Sequence, residues 1–387
     1  MKAVRRFLCL AVIPVLIANS SCRKSEDRIT GEIKNIAGRF VPDKRTAIFS
    51  VEVKEGSGNK VILKGETTVP AARDSLFKRL NNEYNNISDS ILILPDTSGN
   101  RKYRGLVSLS VINLRKEPDH ASELVSQAIL GSPLLILKED DGWLMVQTPD
   151  KYISWTENSS VRKTSPGEMN VWKNSDRMVY LGNTGWIYAN PARTSVIGDI
   201  VAGGLVAKTG ETGDFFRVVL PDGREGFIEK AFLEPFSQFI KDTTSGDGII
   251  KRAESMLGIP YLWGGSSPKG ADCSGFVQNV FFMNGMIVQR DASQQAMHGH
   301  PVDISANFSN LRAGDLLFFG SENRITHVAI YKGDTEFIHS SGRVMINSLD
   351  STRNNYSPYR RSTLRKALRI IGNEDEGIVR LKAHKWF

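Results

Sequence analysis

Apolar residues form their longest continuous run at the start of the chain, where Phe7-Leu8-Cys9-Leu10-Ala11-Val12-Ile13-Pro14-Val15-Leu16-Ile17-Ala18 follows the basic Lys2, Arg5 and Arg6. About a dozen apolar residues behind positive charge match the core of a secretory signal and fall short of the roughly 20 that span a bilayer. A polar stretch follows through about Thr30. Beyond it, the pattern predicts strands over 46–53 and 60–68, a helix over 70–81 and a further strand over 90–94. Together these suggest a small α+β domain within residues 23–104, carrying no motif to which chemistry attaches.

Between about 105 and 236 the pattern repeats. Pro118, Gly131, Trp143, Val146, Pro149-Asp150 and Trp155 are echoed by Pro191, Gly204, Phe215, Val218, Pro221-Asp222 and Phe227, at an offset of 72 or 73 residues. Short β-rich runs are separated by turn signals such as Asp141-Gly142 and Pro221-Asp222-Gly223. This predicts two small β-barrels, over 105–165 and 166–240. From about Gly248 helical spacing returns over 249–257, then a Gly-rich loop, a second helix, and strands over 315–319, 327–332 and 336–339. That order predicts an α+β domain over 245–374, followed by a tail over 375–387.

Composition narrows the class. With 387 residues, 40% of them hydrophobic, the chain is too apolar for disorder and too long for one small core. No second apolar stretch is long enough for a polytopic membrane protein. The net charge of +8 comes from dispersed residues, and Lys2, Arg5, Arg6, Arg23 and Lys24 flank the N-terminal run. Without zinc-finger spacing, a basic region or an aromatic RNA-binding signature, it does not indicate nucleic acid.

Only Cys9, Cys22 and Cys273 are present. Asn19-Ser20-Ser21 before Cys22 resembles a bacterial lipoprotein signal, with Asn19 in place of the usual aliphatic residue. That implies an exported protein, periplasmic or attached to a membrane of the cell envelope through lipidated Cys22. Cys273 is then left without an intramolecular partner. In an exported chain such a thiol is either buried and inert or kept for its reactivity.

The surroundings of Cys273 favour reactivity. Asp272 stands where a helix N-cap would, after a Gly/Ser/Pro-rich loop and before the apolar-periodic Phe276, Val277, Val280 and Phe281, which places Cys273 in the first helical turn. Unpaired N–H groups and the helix dipole favour a thiolate there. A base and an orienting group are also needed. His327 begins one strand and His339 ends the next, with Lys332-Gly333-Asp334 as the turn. Positions 327 and 339 are equidistant from Gly333, so the two imidazoles are expected to face one another and bond nitrogen to nitrogen, leaving the other nitrogen of His327 for Cys273. One Cys and two His are also a partial zinc set, but no fourth ligand or close ligand pair accompanies them, so no metal or other cofactor is expected.

These residues belong to a longer set: Tyr261-x-Trp263-Gly264-Gly265, Asp272-Cys273-Ser274-Gly275-Phe276, Arg290-x-x-Ser293-x-Gln295, Gly314-Asp315-Leu316-Leu317-Phe318-Phe319, His327-Val328-Ala329-Ile330-Tyr331 and Ile338-His339. On them, residues 248 to about 345, and more loosely to 371, resemble the NlpC-type cysteine peptidases of bacterial cell walls, which have a papain-like fold. The resemblance implies Cys273 as nucleophile, His327 as base, His339 as orienting residue and Tyr261 lining the site. Arg312-Ala313 replaces the proline that usually precedes Gly314-Asp315. The two repeats resemble bacterial SH3-like modules, which gives a multidomain α+β chain: N-terminal α+β domain, two SH3-like barrels, papain-like catalytic domain.

This layout resembles the γ-D-glutamyl-L-diamino-acid endopeptidases of the dipeptidyl-peptidase VI type. The resemblance implies cleavage of murein stem peptides after L-Ala-γ-D-Glu by a monomeric enzyme, with the free ammonium of L-Ala held beside the nucleophile and by the first module. Asp272, Ser274 and Ser293 match the catalytic-domain part of that subsite; Glu123 and Tyr152 match the module's part. Lys151 and Ser154 replace the family's glycines around Tyr152, and the second module has Arg224 at that place. Two other readings are an endopeptidase acting on intact sacculi and a wall-binding protein without catalysis.

Overall fold

Ile29, Ile33 and Ile36 recur at the spacing of one helical face and lie buried along helix α1 (Leu16–Phe40). This helix replaces the polar stretch expected through Thr30; exposed Arg28, Lys34 and Arg39 share its sequence and obscure the stripe. The computed structural model describes residues 16–55, 60–84, 86–97, 102–241, 244–305 and 307–387, with side chains left undescribed over 16–25 and at 55. The signal segment expected over 1–22 therefore lies largely outside the described residues, and Cys22 is described only as backbone within α1. The chain divides into two compact units between Leu94 and Pro95.

In the first unit, strand β1 (Phe49–Glu55) pairs antiparallel with β2 (Val61–Thr67). Helix α2 (Pro70–Leu80), begun by a proline whose missing N–H costs nothing there, carries the chain across to β3 (Ile87–Ile93), parallel to β2. Ala72, Leu76 and Leu80 of α2 close a core with Ile29, Ile33, Ile36 and Leu63.

The second unit opens with seven strands, β4 (Arg104–Val107), β5 (Val111–Arg115), β6 (Leu124–Ile129), β7 (Pro133–Asp140), β8 (Trp143–Gln147), β9 (Ile153–Glu157) and β10 (Val161–Thr164). Helix α3 (Pro166–Asn174), started by a Ser165–Glu168 capping box, leads to seven more: β11 (Arg177–Tyr180), β12 (Thr184–Tyr188), β13 (Val196–Val201), β14 (Leu205–Thr212), β15 (Phe215–Val219), β16 (Glu225–Glu229) and β17 (Leu233–Pro235). The sheet orders are β10-β4-β7-β8-β9-β5-β6 and, reversed, β17-β11-β14-β15-β16-β12-β13. Strand for strand they coincide, so the repeat seen in the sequence is a repeat of topology. One pairing needs correction. The counterpart of Gly131 is Gly203, not Gly204: both have positive φ, and each donates its N–H over 2.9 Å to the equivalent strand carbonyl, Val107 or Tyr180.

A short helix α4 (Phe236–Phe239) and helix α5 (Gly246–Ser255) lead into the third part. There a small hairpin, β18 (Ser266–Ser267) with β19 (Gly270–Ala271), precedes α6 (Cys273–Phe282). After β20 (Met286–Val288) and α7 (Ala292–Gln295) come β21 (His300–Val302), β22 (Leu316–Ser321), β23 (Arg324–Gly333), β24 (Glu336–Ser341), β25 (Arg343–Ser348), α8 (Pro358–Thr363), β26 (Leu364–Arg369) and β27 (Ile378–Arg380). Six strands form an antiparallel sheet, β21-β26-β22-β23-β24-β25. Both of its faces are buried: Leu316, Phe318, Val328, Ile330 and Ile338 pack on Phe276, Val277, Val280 and Phe281 of α6, while Leu317, Phe319, Ala329 and Phe337 pack on Phe308 and Leu311. A helix anchored this firmly holds its first residue still.

The three parts of the second unit meet backbone to backbone. Gly131, at φ +76°, leaves only 2.5 Å between an added Cβ and Leu205 O of the second module; Gly264, also at φ +76°, leaves 2.3 Å to Leu124 O of the first. Gln127 seals the second seam, its side-chain oxygen accepting from Ser266 N (3.0 Å) and Ser267 Oγ (2.9 Å). The segment expected as a tail over 375–387 is part of the framework. Its β27 pairs with β20, His384 reaches Pro149 O at 3.1 Å, and Phe387 packs on Phe236 and Phe282.

Candidate active site

Asp272 caps α6 as its sequence position suggests: extended at φ −79°, it accepts the N–H of Gly275 at 2.7 Å. Cys273 is the first helical residue, 8% exposed. Its thiol does not rest as the thiolate expected from the helix N-terminus. Burial, followed by the Asp272 carboxylate, pushes it up to about 11, against the opposing pull of the Val328 and Ser274 N–H groups and Arg290. Desolvation outweighs the dipole here.

His327 and His339 meet, but not through the expected register. The turn holds Asp334 and Thr335 at positive φ, and a bulge lies between Tyr331 and Gly333, so the ladder pairs Ile330 with Ile338 and stops there. On this register the position opposite His339 would fall to Ala329, not His327. The rings nevertheless bridge the diagonal, His327 Nε2 to His339 Nδ1 at 2.8 Å with the planes at 90°. Where the ladder stops, the N–H of Val328 turns to the thiol.

A residue the sequence reading missed sets the protons of this pair. Asn347 on β25 donates Nδ2–H to Asn355 O (2.9 Å), which turns its Oδ1 to His339 Nε2 (2.9 Å). His339 must therefore carry its proton on Nε2 and accept at Nδ1. His327 must donate from Nε2, and its Nδ1 is left bare to take a proton. Burial, then Arg360, then His339 hold His327 well below the ordinary histidine range; burial carries His339 down to about 4. At neutral pH the Cys273 thiol and the His327 imidazole are thus both uncharged.

Asp272 has a fuller set of partners than expected. Arg290, 1% exposed, donates Nη2 (2.6 Å) and Nη1 (3.1 Å) to its two oxygens, beside Gly264 N (3.0 Å), Gly275 N and Ser274 Oγ (3.2 Å). Arg290 also donates to Ser274 Oγ (3.0 Å) and, across the seam, to Ser126 Oγ of the first module (3.1 Å). A substrate ammonium at Asp272 would share that carboxylate with a buried guanidinium.

The other expected residues divide as follows. Tyr261 is half-buried near the thiol, its hydroxyl pushed up to about 12 by burial, then Cys273 and Asp272. Ser293 lies on α7, which is tied to the start of α6 by Gln295 Nε2 donating to Ser274 O at 3.1 Å. From the first module, Glu123 Oε1 accepts Trp263 Nε1–H at 2.9 Å, two residues from Tyr261, and buried Tyr152 lies in electrostatic reach of Arg290. Cys22 belongs to the other unit, and its side chain lies outside the described residues. Besides Asn347, the sequence reading gave no role to Arg290, although it lies in a quoted motif, or to Arg360 of α8.

Residues 258–365 match the NlpC/P60 family, and residues 114–161 match the bacterial dipeptidyl-peptidase Sh3 domain. The γ-D-glutamyl-L-lysine dipeptidyl-peptidase of Bacillus subtilis is 31% identical over 226 residues, 56% of this chain and 71% of that protein. Dipeptidyl-peptidase 6 of Lysinibacillus sphaericus is 28% identical over 279 residues, covering 69% of this chain and 98% of the relative. The crystal structure of an NlpC/P60 family protein from Bacillus cereus superposes with a TM-score of 0.60 at 23% identity, over 69% of this chain and 99% of that one, and shares its fold. With a capped cysteine, a histidine pair and an SH3 domain seated on the catalytic domain all in place, the chain belongs to the NlpC/P60 family.

Proposed function

We propose that this protein is a cysteine peptidase that hydrolyses the γ-D-glutamyl–diamino-acid bond of murein stem peptides with a free N-terminal L-Ala. The observation that carries this reading is the seating of the first module on the catalytic domain, with Glu123 on Trp263 and Tyr152 by Arg290. Acidic and phenolic groups of the module then stand against Trp263 and Arg290, which neighbour the start of α6. The name of the Bacillus subtilis relative, a γ-D-glutamyl-L-lysine dipeptidyl-peptidase, supports the same bond.

In this mechanism His327 Nδ1 takes the thiol proton as Cys273 Sγ attacks the γ-carbonyl, and the first turn of α6 supplies N–H groups lacking helical partners to the oxyanion. The His327 imidazolium then gives its proton to the leaving amine of the diamino acid. Water, deprotonated by His327, cleaves the thioester and releases L-Ala-D-Glu. Of the two carboxylates assigned to the ammonium, Asp272 is neutralised by Arg290. Glu123 keeps acceptor capacity, with Trp263 on one oxygen and Lys116 at 3.9 Å from the other. Glu123 therefore takes the larger share, with Tyr152, Ser274 and Ser293 shaping the subsite and Tyr261 lining it. The basic-then-apolar start and Cys22 support export and lipid anchoring in the cell envelope; labelled palmitate incorporated by wild type and not by Cys22→Ala is the expected result.

Mass spectrometry of products from L-Ala-γ-D-Glu-diamino-acid peptides tests the activity. Wild type releases L-Ala-D-Glu from the free-amine peptide and acts at least about 10-fold more slowly on its N-acetylated form, because acetylation removes the ammonium that gives Glu123 a charge-assisted hydrogen bond worth about 1.5–3 kcal/mol. Equal cleavage of the two would refute the free-terminus reading and favour action on intact sacculi.

A further inference from the structure

Arg360 brings to the site a positive charge that neither the nucleophile nor the histidine relay uses. It lies on α8, where Ser357 Oγ accepts its backbone N–H at 3.3 Å. Its guanidinium stacks over Phe319 at 5.6 Å, and Phe319 packs on His327 with ring centroids 5.7 Å apart. Tyr359 covers it at 5.3 Å, and Nη2 points to Ser341 Oγ at 3.4 Å, two residues beyond His339. Half-buried, it interacts electrostatically with Cys273, Tyr261, His327 and His339. Among the described residues it forms no ion pair, whereas Arg290 is fully engaged by Asp272.

Left uncompensated, this cation opposes the reaction. His327 must become an imidazolium as the thiol attacks, and a neighbouring guanidinium raises the energy of that state. An anion arriving with the substrate would remove the penalty and gain a charge-assisted hydrogen bond. The position selects which part of the substrate supplies it. The first module and the Asp272–Arg290 pair are assigned to the ammonium end of the substrate and are tied to one another through Ser126. Arg360 shares the side of His327, which must reach the leaving amine. We infer that Arg360 receives a free carboxylate of the diamino acid on the leaving side of the scissile bond. That carboxylate is either the α-carboxylate of a C-terminal diamino acid or the second carboxylate of a diaminopimelate-type residue; lysine lacks the latter. The inference rests on the γ-D-glutamyl reading above.

Four peptides separate the sources: L-Ala-γ-D-Glu-L-Lys and L-Ala-γ-D-Glu-meso-diaminopimelate, each as the free α-acid and as the α-amide. Wild type is expected to favour the peptide whose carboxylate reaches Arg360 over the lysine amide by about 10- to 100-fold in kcat/KM. Arg360→Gln should narrow that ratio to about 3-fold or less, and Arg360→Lys should keep part of it. An α-carboxylate site predicts discrimination between lysine acid and amide; a side-chain site predicts discrimination between the two amides. A ratio unchanged in Arg360→Gln, with every peptide slowed alike or none slowed, overturns the inference. Alkylation of Cys273 supplies a readout independent of peptide cleavage: the rate ratio of anionic iodoacetate to neutral iodoacetamide should fall about 10-fold in Arg360→Gln, and an unchanged ratio overturns the anion subsite. If wild type cuts none of the four peptides, the γ-D-glutamyl reading fails while this ratio still decides on Arg360.

Discussion

Replacing Arg290 by methionine tests how far the site depends on one buried ion pair. Methionine fills much of the volume of the arginine stem but removes four contacts, two to Asp272 and one each to Ser274 and Ser126. Asp272 is 7% exposed, so water cannot replace the guanidinium without the structure opening. Breaking such a pair from one side costs about 3–5 kcal/mol, a large fraction of the 5–15 kcal/mol that holds a typical domain together. The companion variant is Asp272→Asn in the same background. Asparagine caps a helix about as well as aspartate and removes the stranded charge, so the double variant should recover about 2 kcal/mol of the loss. Urea unfolding of the full chain, followed by tryptophan fluorescence, gives the four corners of the cycle. A single-variant loss under about 1 kcal/mol, or a double variant no more stable than Arg290→Met, would refute the view that the pair is held by its own charges.

Cys273→Ala should abolish hydrolysis and His327→Ala should lower kcat/KM by about 10²- to 10⁴-fold, with His339→Ala and Asn347→Ala milder because they act through His327; full activity in Cys273→Ala would refute the assignment. With the thiol up at about 11 and His327 neutral, iodoacetamide alkylation should keep rising with pH between about 7 and 10; a plateau already reached below neutrality would point to a preformed ion pair. Asp150, held by Thr148 and Gln278, has its carboxyl raised by burial. The folded state therefore binds more protons than the unfolded one above the ordinary carboxyl range, and stability falls as pH rises through that window. Asp150→Asn should accordingly raise Tm at pH 7, by an amount that shrinks toward about pH 4; a gain independent of pH would contradict this.

The geometry of the candidate site was legible where it depends on local signals. An N-cap before an apolar-periodic run located Cys273, and two strands about a glycine turn brought His327 and His339 together. Their register was not legible, because the turn falls on Asp334 and Thr335 and the bulge beside Gly333 moves the pairing by one residue. Asn347 escaped because its contact is a diagonal across β24 and β25, where His339 is opposite Met345. Arg290 was visible as a letter in a motif, but arginine is ordinarily a surface residue, and only tertiary packing explains why this one is the largest fully buried side chain. In the first unit α1 was missed, since exposed charges alternate with Ile29, Ile33 and Ile36. In the two modules turn residues and barrel positions are what repeats, and the error at Gly131 was one of alignment.

The seams at Gly131 and Gly264 bear on how such a chain can change. A linker between domains tolerates new sequence at its ends, but here main chain lies against main chain, and one methyl group at either glycine would collide with a carbonyl oxygen. The modules are consequently not interchangeable parts. A first module borrowed from another protein would have to arrive with its own matching glycine neighbours and its Gln127, or it would sit askew and carry Glu123 and Tyr152 out of reach. If the first module holds the substrate as proposed, substrate preference in this architecture is inherited with the joint between domains, and redesigning it by swapping modules requires transplanting the joint first.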